Sequence, residues 1–203
     1  MMRWAYWFGW LLFGSAVRGL FGLKITGRKH LIREGGVLVA SNHESFLDPP
    51  LIGCLYQDEM YFLARKSLFR KGVVEWVYRA WNSIPVDQDR PDMASLKTII
   101  RLLRKGDRVL VFPEGERTRD GDLGAAQPGI GLIALKSGAV IQPVRIRGAR
   151  NALPRGSGRI RLARIEISIG QAIRIGPDEA AALRGKEGYQ RVADRIMAAI
   201  NEL

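Results

Sequence analysis

The sequence predicts a single α/β domain, a mostly parallel, mixed sheet flanked by helices, with an aromatic helix at its N-terminus. Three observations predict it. Short apolar runs alternate with stretches of helical periodicity, and no repeat, linker or low-complexity segment interrupts them. The 203 residues are 47% hydrophobic, enough for one core covered on two faces. The two stretches richest in chemistry, 42–48 and 112–119, each begin as an apolar run ends, where functional loops lie in a parallel sheet.

Strands are expected at Leu23 to Thr26, Val37 to Ala40, Tyr61 to Ala64, Ile84 to Val86, Val109 to Phe112 and Val140 to Ile146. A last one, Arg159 to Ile169, alternates apolar residues with arginine and glutamate and reads as a sheet edge. Helices are expected at Leu51 to Tyr56, Val73 to Trp81, Asp92 to Arg104, Ile130 to Ser137 and Tyr189 to Glu202. In the last of these, Val192, Ile196 and Ile200 recur every fourth residue, with Tyr189 and Met197 on the same side, so it packs on the sheet.

Residues 1–22 stand apart from the domain expected over 23–203. Trp4 to Val17 is uncharged and dense in aromatics (Trp4, Tyr6, Trp7, Phe8, Trp10, Phe13), with Arg3 and Arg18 at its ends. A spanning helix needs about 20 apolar residues, a length reached only by including Arg18, Gly19 and Gly22. An anchor lying in the membrane interface fits better than a spanning helix or a cleaved leader. The net charge of +12 is unevenly placed: no acid falls between Leu123 and Ile165, while Lys136 and seven arginines do. Such a face attracts anionic lipid, the phosphates of coenzyme A, an acidic carrier protein or nucleic acid. The lone cysteine, Cys54, excludes an internal disulfide and reads as a buried structural thiol. With two histidines and no C-x-x-C, the usual zinc ligand set cannot be assembled, and no metal is expected.

The chemistry starts at His43, five positions before Asp48. Histidine takes up a proton near neutral pH, and a carboxylate on its other ring nitrogen fixes the tautomer. On a regular helix of about 3.6 residues per turn the two side chains would point about 140° apart. A strand ending at Ala40, a tight loop and a helix opening near Pro49 let Asp48 fold back onto the ring instead. Taken alone, the pair reads first as a helix-capping aspartate beside a solvated histidine, and the motif by itself is weak. In the second stretch Gly115 lies between Glu114 and Glu116 and is followed by Arg117, Thr118 and Arg119, which offers amide groups and guanidinium forks to a phosphate.

Together these residues make the chain resemble the lysophosphatidic acid (1-acyl-sn-glycerol-3-phosphate) acyltransferase family. Asn42, His43, Ser45 and Asp48 fit its N-H-x-S-x-x-D block, and Phe112 to Thr118 fits F-P-E-G-T-R-S with Glu116 for threonine and Thr118 for serine. Lys66 to Phe69 with Ile84 to Arg90 resembles the second block, and Val140 to Val144 the fourth, so the likeness covers about residues 24–170. Two departures bear on the acceptor. Gln88 holds a place usually taken by arginine, with Arg90 two residues on, and Gln127-Pro128-Gly129 replaces a segment that carries a lysine in many relatives.

The resemblance implies transfer of a fatty acyl group from a thioester, acyl-coenzyme A or acyl carrier protein as co-substrate, to a lysophospholipid hydroxyl, without a cofactor. His43 and Asp48 are then catalytic. Glu114, Gly115, Arg117, Thr118, Arg119 and Arg90 bind substrate, with the Gly115 N–H or a neighbouring amide facing the oxyanion and Glu114 orienting the arginines or closing the loop. An apolar groove from the anchor holds the acyl chain. The expected setting is an anionic membrane surface, on the cytoplasmic face of the inner membrane. Acylation of another hydroxyl, such as that of glycerol 3-phosphate or a different lysolipid, is the rival within enzymes. A non-catalytic basic module explains the arginines but neither His43 nor Asp48; no Walker loop, zinc-finger spacing or ribonucleoprotein motif supports nucleic acid as partner. A lipid hydrolase is the third reading, and the lack of a G-x-S-x-G elbow argues against serine-triad chemistry.

Overall fold

The computed structural model describes residues 4–69, 72–86, 93–118, 122–154 and 156–203. Seven strands form one sheet: β1 (Lys24–Thr26), β2 (Val37–Ser41), β3 (Met60–Arg65), β4 (Ser83–Val86), β5 (Arg108–Val111), β6 (Val140–Arg147) and β7 (Glu166–Ile169). Their order is β1-β7-β6-β2-β5-β3-β4. Every neighbouring pair is parallel except β6 with β7.

β2 lies near the middle and is buried along its whole length, as a near-continuous apolar run in a parallel sheet should be. Its side chains divide by the strand's two-residue period. Val37 and Val39 enter a core with α1 (Trp4–Leu20), α2 (Asp48–Gly53) and α6 (Ala149–Ala152). Leu38 and Ala40 enter the opposite core with α4 (Met93–Lys105), α5 (Pro128–Ser137) and α8 (Gly185–Asn201). In α8 the expected stripe of Val192, Ile196 and Ile200 is buried there. A side chain at Gly131 of α5 would collide with the Tyr189 carbonyl, so the missing Cβ is what lets α5 and α8 close together. Among the described residues there are two further α-helices, α3 (Val73–Ala80) and α7 (Pro177–Ala182); α6 and α7 carry no periodic stripe long enough to read from sequence.

Three expectations need correction. The strand read as Arg159 to Ile169 is regular only over β7, and it lies between β1 and β6 instead of at an edge. Ile167 and Ile169 can be buried there, whereas Arg159, Arg161 and Arg164 cannot, and 159–164 runs as a mostly exposed strap outside any regular element. The edges are β1 and β4, both short, which limits open pairing surface. The helix read as Leu51 to Tyr56 starts at Asp48, because Pro49 and Pro50 suit a first turn, where no N–H is needed. Cys54 is half-buried, not fully enclosed.

The N-terminal segment is a helix, α1, and it is part of the core. Tyr6 and Val17, with Phe21 just beyond, pack among Leu51, Ile52 and Phe62, and the Tyr6 hydroxyl oxygen accepts the Met60 amide at 3.2 Å. The opposite face, Trp4, Trp7, Phe8, Leu11 and Leu12, is exposed. Among the described residues no helix is long and apolar enough to cross a membrane.

Candidate active site

β2 and β5 are neighbours in register, Ala40 beside Val111, so the two motif loops leave the sheet side by side. Asn42 extends the β2 pairing with its side chain: its Nδ2 donates to the Ile146 carbonyl and its Oδ1 accepts the Ile146 amide, both at 2.8 Å. The chain then turns, and Asp48, the first residue of α2, reaches back. One carboxylate oxygen, Oδ2, meets three groups: the Glu44 N–H at 2.6 Å, the Ser45 N–H at 2.7 Å and His43 Nδ1 at 2.8 Å. A carboxylate in this position accepts from all three, so His43 Nδ1 carries its hydrogen and Nε2 is left with the lone pair. Asp48 is wholly buried, while His43 keeps 16% of its side chain exposed. The loop conformation the sequence required for this pair is the one observed.

The second loop holds the histidine from the other side. The Phe112 ring stacks on the imidazole, centroids 3.8 Å apart and planes 9° off parallel. Glu114 is buried, and each of its carboxylate oxygens accepts a backbone N–H, that of His43 at 3.0 Å and that of Gly124 at 3.0 Å. Burial pushes its carboxyl above the usual range, and the two amides oppose that shift. Thr118 completes the frame by donating its N–H to the His43 carbonyl at 3.0 Å. Glu114 and Thr118 therefore tie one loop to the other, and the Glu114 carboxylate is spent on backbone and turned away from the cleft. The Gly115 amide, expected to face an oxyanion, donates to the Phe112 carbonyl and closes the turn; with φ at +78°, the position favours glycine for that turn.

His43 and Arg117 open onto a cleft of about 410 Å³, with the Arg117 guanidinium 3.7 Å above the Phe46 ring. Its far wall is apolar: Phe62, Leu63 and Ala64 of β3, Val77 and Tyr78 of α3, and Trp81. Behind it, sharing Pro50, Phe62 and Trp81, a small cavity of about 10 Å³ reaches Tyr6, Trp10 and Phe13 of α1. The arrangement offers a general base with a fixed tautomer, a cation and an apolar wall within one concave site. Arg90 and Arg119, expected to assist Arg117, and Gln88 lie outside the described residues. Among the described residues no group of three or more His, Cys, Asp or Glu side chains gathers as a metal site would.

Sequence reasoning did not single out Phe112 as the histidine's stacking partner, Phe46 as the surface under Arg117, or the β3 and α3 wall. Phe112 read as the last residue of a strand, and the wall residues carry no signal beyond hydrophobicity.

Comparison with known proteins extends this picture. A family model described as Acyltransferase matches residues 22–147. A 1-acyl-sn-glycerol-3-phosphate acyltransferase of Bacillus subtilis is 25% identical over 90% of this chain and 88% of its own. The chloroplastic enzyme LPAT1 of Arabidopsis thaliana is 32% identical over 58% of this chain, a match spanning 33% of that relative. The chain thus spans about a third of the length of the chloroplastic relatives it matches. The crystal structure of PlsC, the 1-acyl-sn-glycerophosphate acyltransferase of Thermotoga maritima, shares the fold, with a TM-score of 0.76 over 98% of this chain and 79% of that one at 23% identity. Since the family model spans well over half of the residues, including both motif loops, the chain belongs to the acyltransferase family.

Proposed function

We propose that this chain is an O-acyltransferase that moves a fatty acyl group from a thioester, of coenzyme A or of acyl carrier protein, to the free sn-2 hydroxyl of 1-acylglycerol 3-phosphate, giving phosphatidic acid. The observation that carries the proposal is the Asp48-His43 pair opening, beside Arg117, onto a cleft with an apolar wall. The named activity of the relatives supports it.

In this reading Nε2 of His43 takes the proton of the acceptor hydroxyl as that oxygen attacks the thioester carbonyl. Asp48 holds the ring and stabilises the imidazolium. The tetrahedral oxyanion collapses, the carbon-sulfur bond breaks, and the departing thiolate takes the proton back from His43, so ester and free thiol leave with the base restored. A thiolate leaving group and a positioned base need no cofactor. An amide of the loop after β5 other than that of Gly115 faces the oxyanion, a contact worth about 3 kcal/mol where one has been removed elsewhere. Arg117, with Arg119 and Arg90, grips the acceptor phosphate, and the acyl chain lies along the wall toward α1.

The exposed aromatic face of α1 seats the enzyme on the membrane interface, on the cytoplasmic face of the inner membrane, where its lysolipid acceptor and anionic lipid are at hand. Gln127, whose side chain lies against Gly115 at the start of α5, keeps a different acceptor as the second reading, because relatives place a cation in that segment.

The test supplies labelled acyl-coenzyme A or acyl carrier protein thioester and lysophosphatidic acid to detergent-purified protein, with His43→Ala in parallel. Phosphatidic acid is expected from the parent, and turnover about a hundredfold to ten-thousandfold lower from the variant, with an unchanged thermal melt. Equal turnover by the variant sinks the general-base assignment. Product with another lysolipid alone transfers the reading to that acceptor.

A further inference from the structure

The strap 159–164 is the feature of the surface that the catalytic reading leaves unused. It reads Arg-Ile-Arg-Leu-Ala-Arg, and Ile160 and Leu162 are 61% and 79% exposed. Either aliphatic side chain alone would be ordinary surface, but here two stand in water within a six-residue stretch that also carries three guanidinium groups. Ala163 alone turns inward, packing on the core beneath α1.

Its place in the fold adds a second observation. Directly after the strap, Glu166 pairs with Arg147 at the carboxyl end of β6, and β6 runs parallel to β2, so the strap lies at the same end of the sheet as His43. Its Arg161 N–H donates to the Ala152 carbonyl at 2.8 Å, and the next carbonyl, that of Leu153, accepts the Ser45 hydroxyl of the catalytic loop at 3.2 Å. On its other side Gly22, just past α1, lies against Arg164. The strap thus joins the C-terminal end of α1 to the catalytic end of the sheet. The sequence from Leu123 to Ile165 holds no acid, and Glu166, which follows it, is paired with Lys24 at 2.9 Å and shared with Arg147 and Arg164, so the arginines stay in excess.

We propose that 159–164 is a second membrane contact, in which Arg159, Arg161 and Arg164 bind the phosphates of anionic phospholipids and Ile160 and Leu162 enter the interface between them. This rests on the reading of α1 as an interfacial anchor. An outward pair of aliphatic residues flanked by cations matches a lipid surface, with headgroup phosphates above and acyl chains beneath. The 17 residues of α1 span about 25 Å at about 1.5 Å each, so contacts at both of its ends fix the tilt of the domain as one contact cannot. The tilt brings the loop carrying His43 toward the surface that holds its lipid acceptor.

The test measures co-sedimentation of the full chain with sucrose-loaded vesicles of phosphatidylcholine alone and of phosphatidylcholine with phosphatidylglycerol, at low and high salt. The variants are Arg159→Gln/Arg161→Gln/Arg164→Gln, Ile160→Ser/Leu162→Ser, and an α1-face variant with Trp4, Trp7, Phe8 and Leu11 changed to serine. Parent protein is expected to favour the anionic vesicles by about a hundredfold, the product of three arginines near a charged surface, and to lose the preference at high salt. The arginine variant should keep its partition onto phosphatidylcholine and lose the preference. The Ile160/Leu162 variant should weaken on both surfaces, and all should melt as the parent does.

An arginine variant that retains the preference overturns the proposal while leaving the α1 anchor intact. Failure of the parent to bind either vesicle overturns the anchor reading itself. An arginine variant that keeps its lipid preference and loses turnover only with acyl carrier protein thioesters assigns the strap to that acidic protein instead.

Discussion

The loop after β2 and the loop after β5 leave neighbouring strands at the same level, yet they are held by different means. The first is stapled locally. Asp48 lies five residues from His43 and gathers the ring and two backbone amides onto a single oxygen. The second is held at long range: Glu114 reaches an amide 71 positions away in the first loop, and Thr118 returns a bond to the same residue's carbonyl. His43 thus has its side chain fixed by its own loop and by Phe112, and its backbone fixed by the other. Ring position and loop position are separate structural tasks, and substitutions should separate them.

The largest effect is expected at the local staple. Asp48→Asn can put a donor where Oδ2 now accepts from three groups, leaving His43 in the wrong tautomer. The turnover number should fall by about a thousandfold or more. Activity near that of the parent would show that Asp48 does not set the tautomer; steady-state kinetics of the two proteins side by side decides.

Glu114→Ala removes the clamp but leaves the staple. The His43 and Gly124 amides lose their acceptors, each at a cost of about 1–3 kcal/mol if still buried, so the melting temperature should fall by several degrees. Turnover should drop about tenfold to a hundredfold as the base drifts from its place, less than for Asp48→Asn. Glu114→Gln retains one acceptor oxygen and should recover part of both losses. Equal damage from Gln and Ala would mean that the charge, not the two backbone bonds, is what matters.

The difference between the loops also marks how far the sequence could be read. The staple was legible because it is local: an H-x4-D spacing between an apolar run and a Pro-Pro helix start allows one way for the pair to meet. The clamp was not, because Glu114 finds the His43 amide only once β2 and β5 are adjacent, and strand order is not written in either motif. The stacking of Phe112 on His43 and of Arg117 on Phe46 depends on the same register. The misread strand at 159–169 has a related cause. Alternating arginine and aliphatic residues satisfy the two-residue period of a strand, but the period does not say whether a neighbouring strand exists to pair with, and across 159–164 the regular ladder is absent.

Arg117 belongs to the second loop but to neither restraint, which makes it the probe for ligand binding apart from loop geometry. Arg117→Ala should raise the Michaelis constant for the phosphate-bearing acceptor by about tenfold to a hundredfold, the loss of one charge-assisted contact, and leave the thioester constant near its original value. A shared rise in both constants would place the arginine at the thioester or at the cleft wall instead. Steady-state kinetics with each substrate varied in turn separates the two.

The smallest effect concerns Glu44, which the first loop buries behind Asp48. Burial first, and then the neighbouring Asp48 charge, raises its carboxyl above the ordinary 4.5, while backbone donors from Arg150 and Gly148 work the other way. A carboxyl that binds its proton more tightly in the folded chain than in the unfolded one contributes fully below that ordinary value and loses its contribution as pH rises through the raised one. Where this carboxyl is ionised the parent carries a buried charge, only partly offset by the Arg150 and Gly148 amides and the Arg150 guanidinium, that Glu44→Gln lacks, while the amide oxygen can still accept from the Arg150 N–H. The variant should melt higher than the parent at neutral pH, and the gap should close as pH falls toward the carboxylate range. A gap that is independent of pH would mean that the Glu44 proton is not the source of the difference. Because Glu44 donates its own N–H to Asp48 through backbone alone, its side chain can change without loosening the staple, and turnover should stay within about a factor of three of the parent.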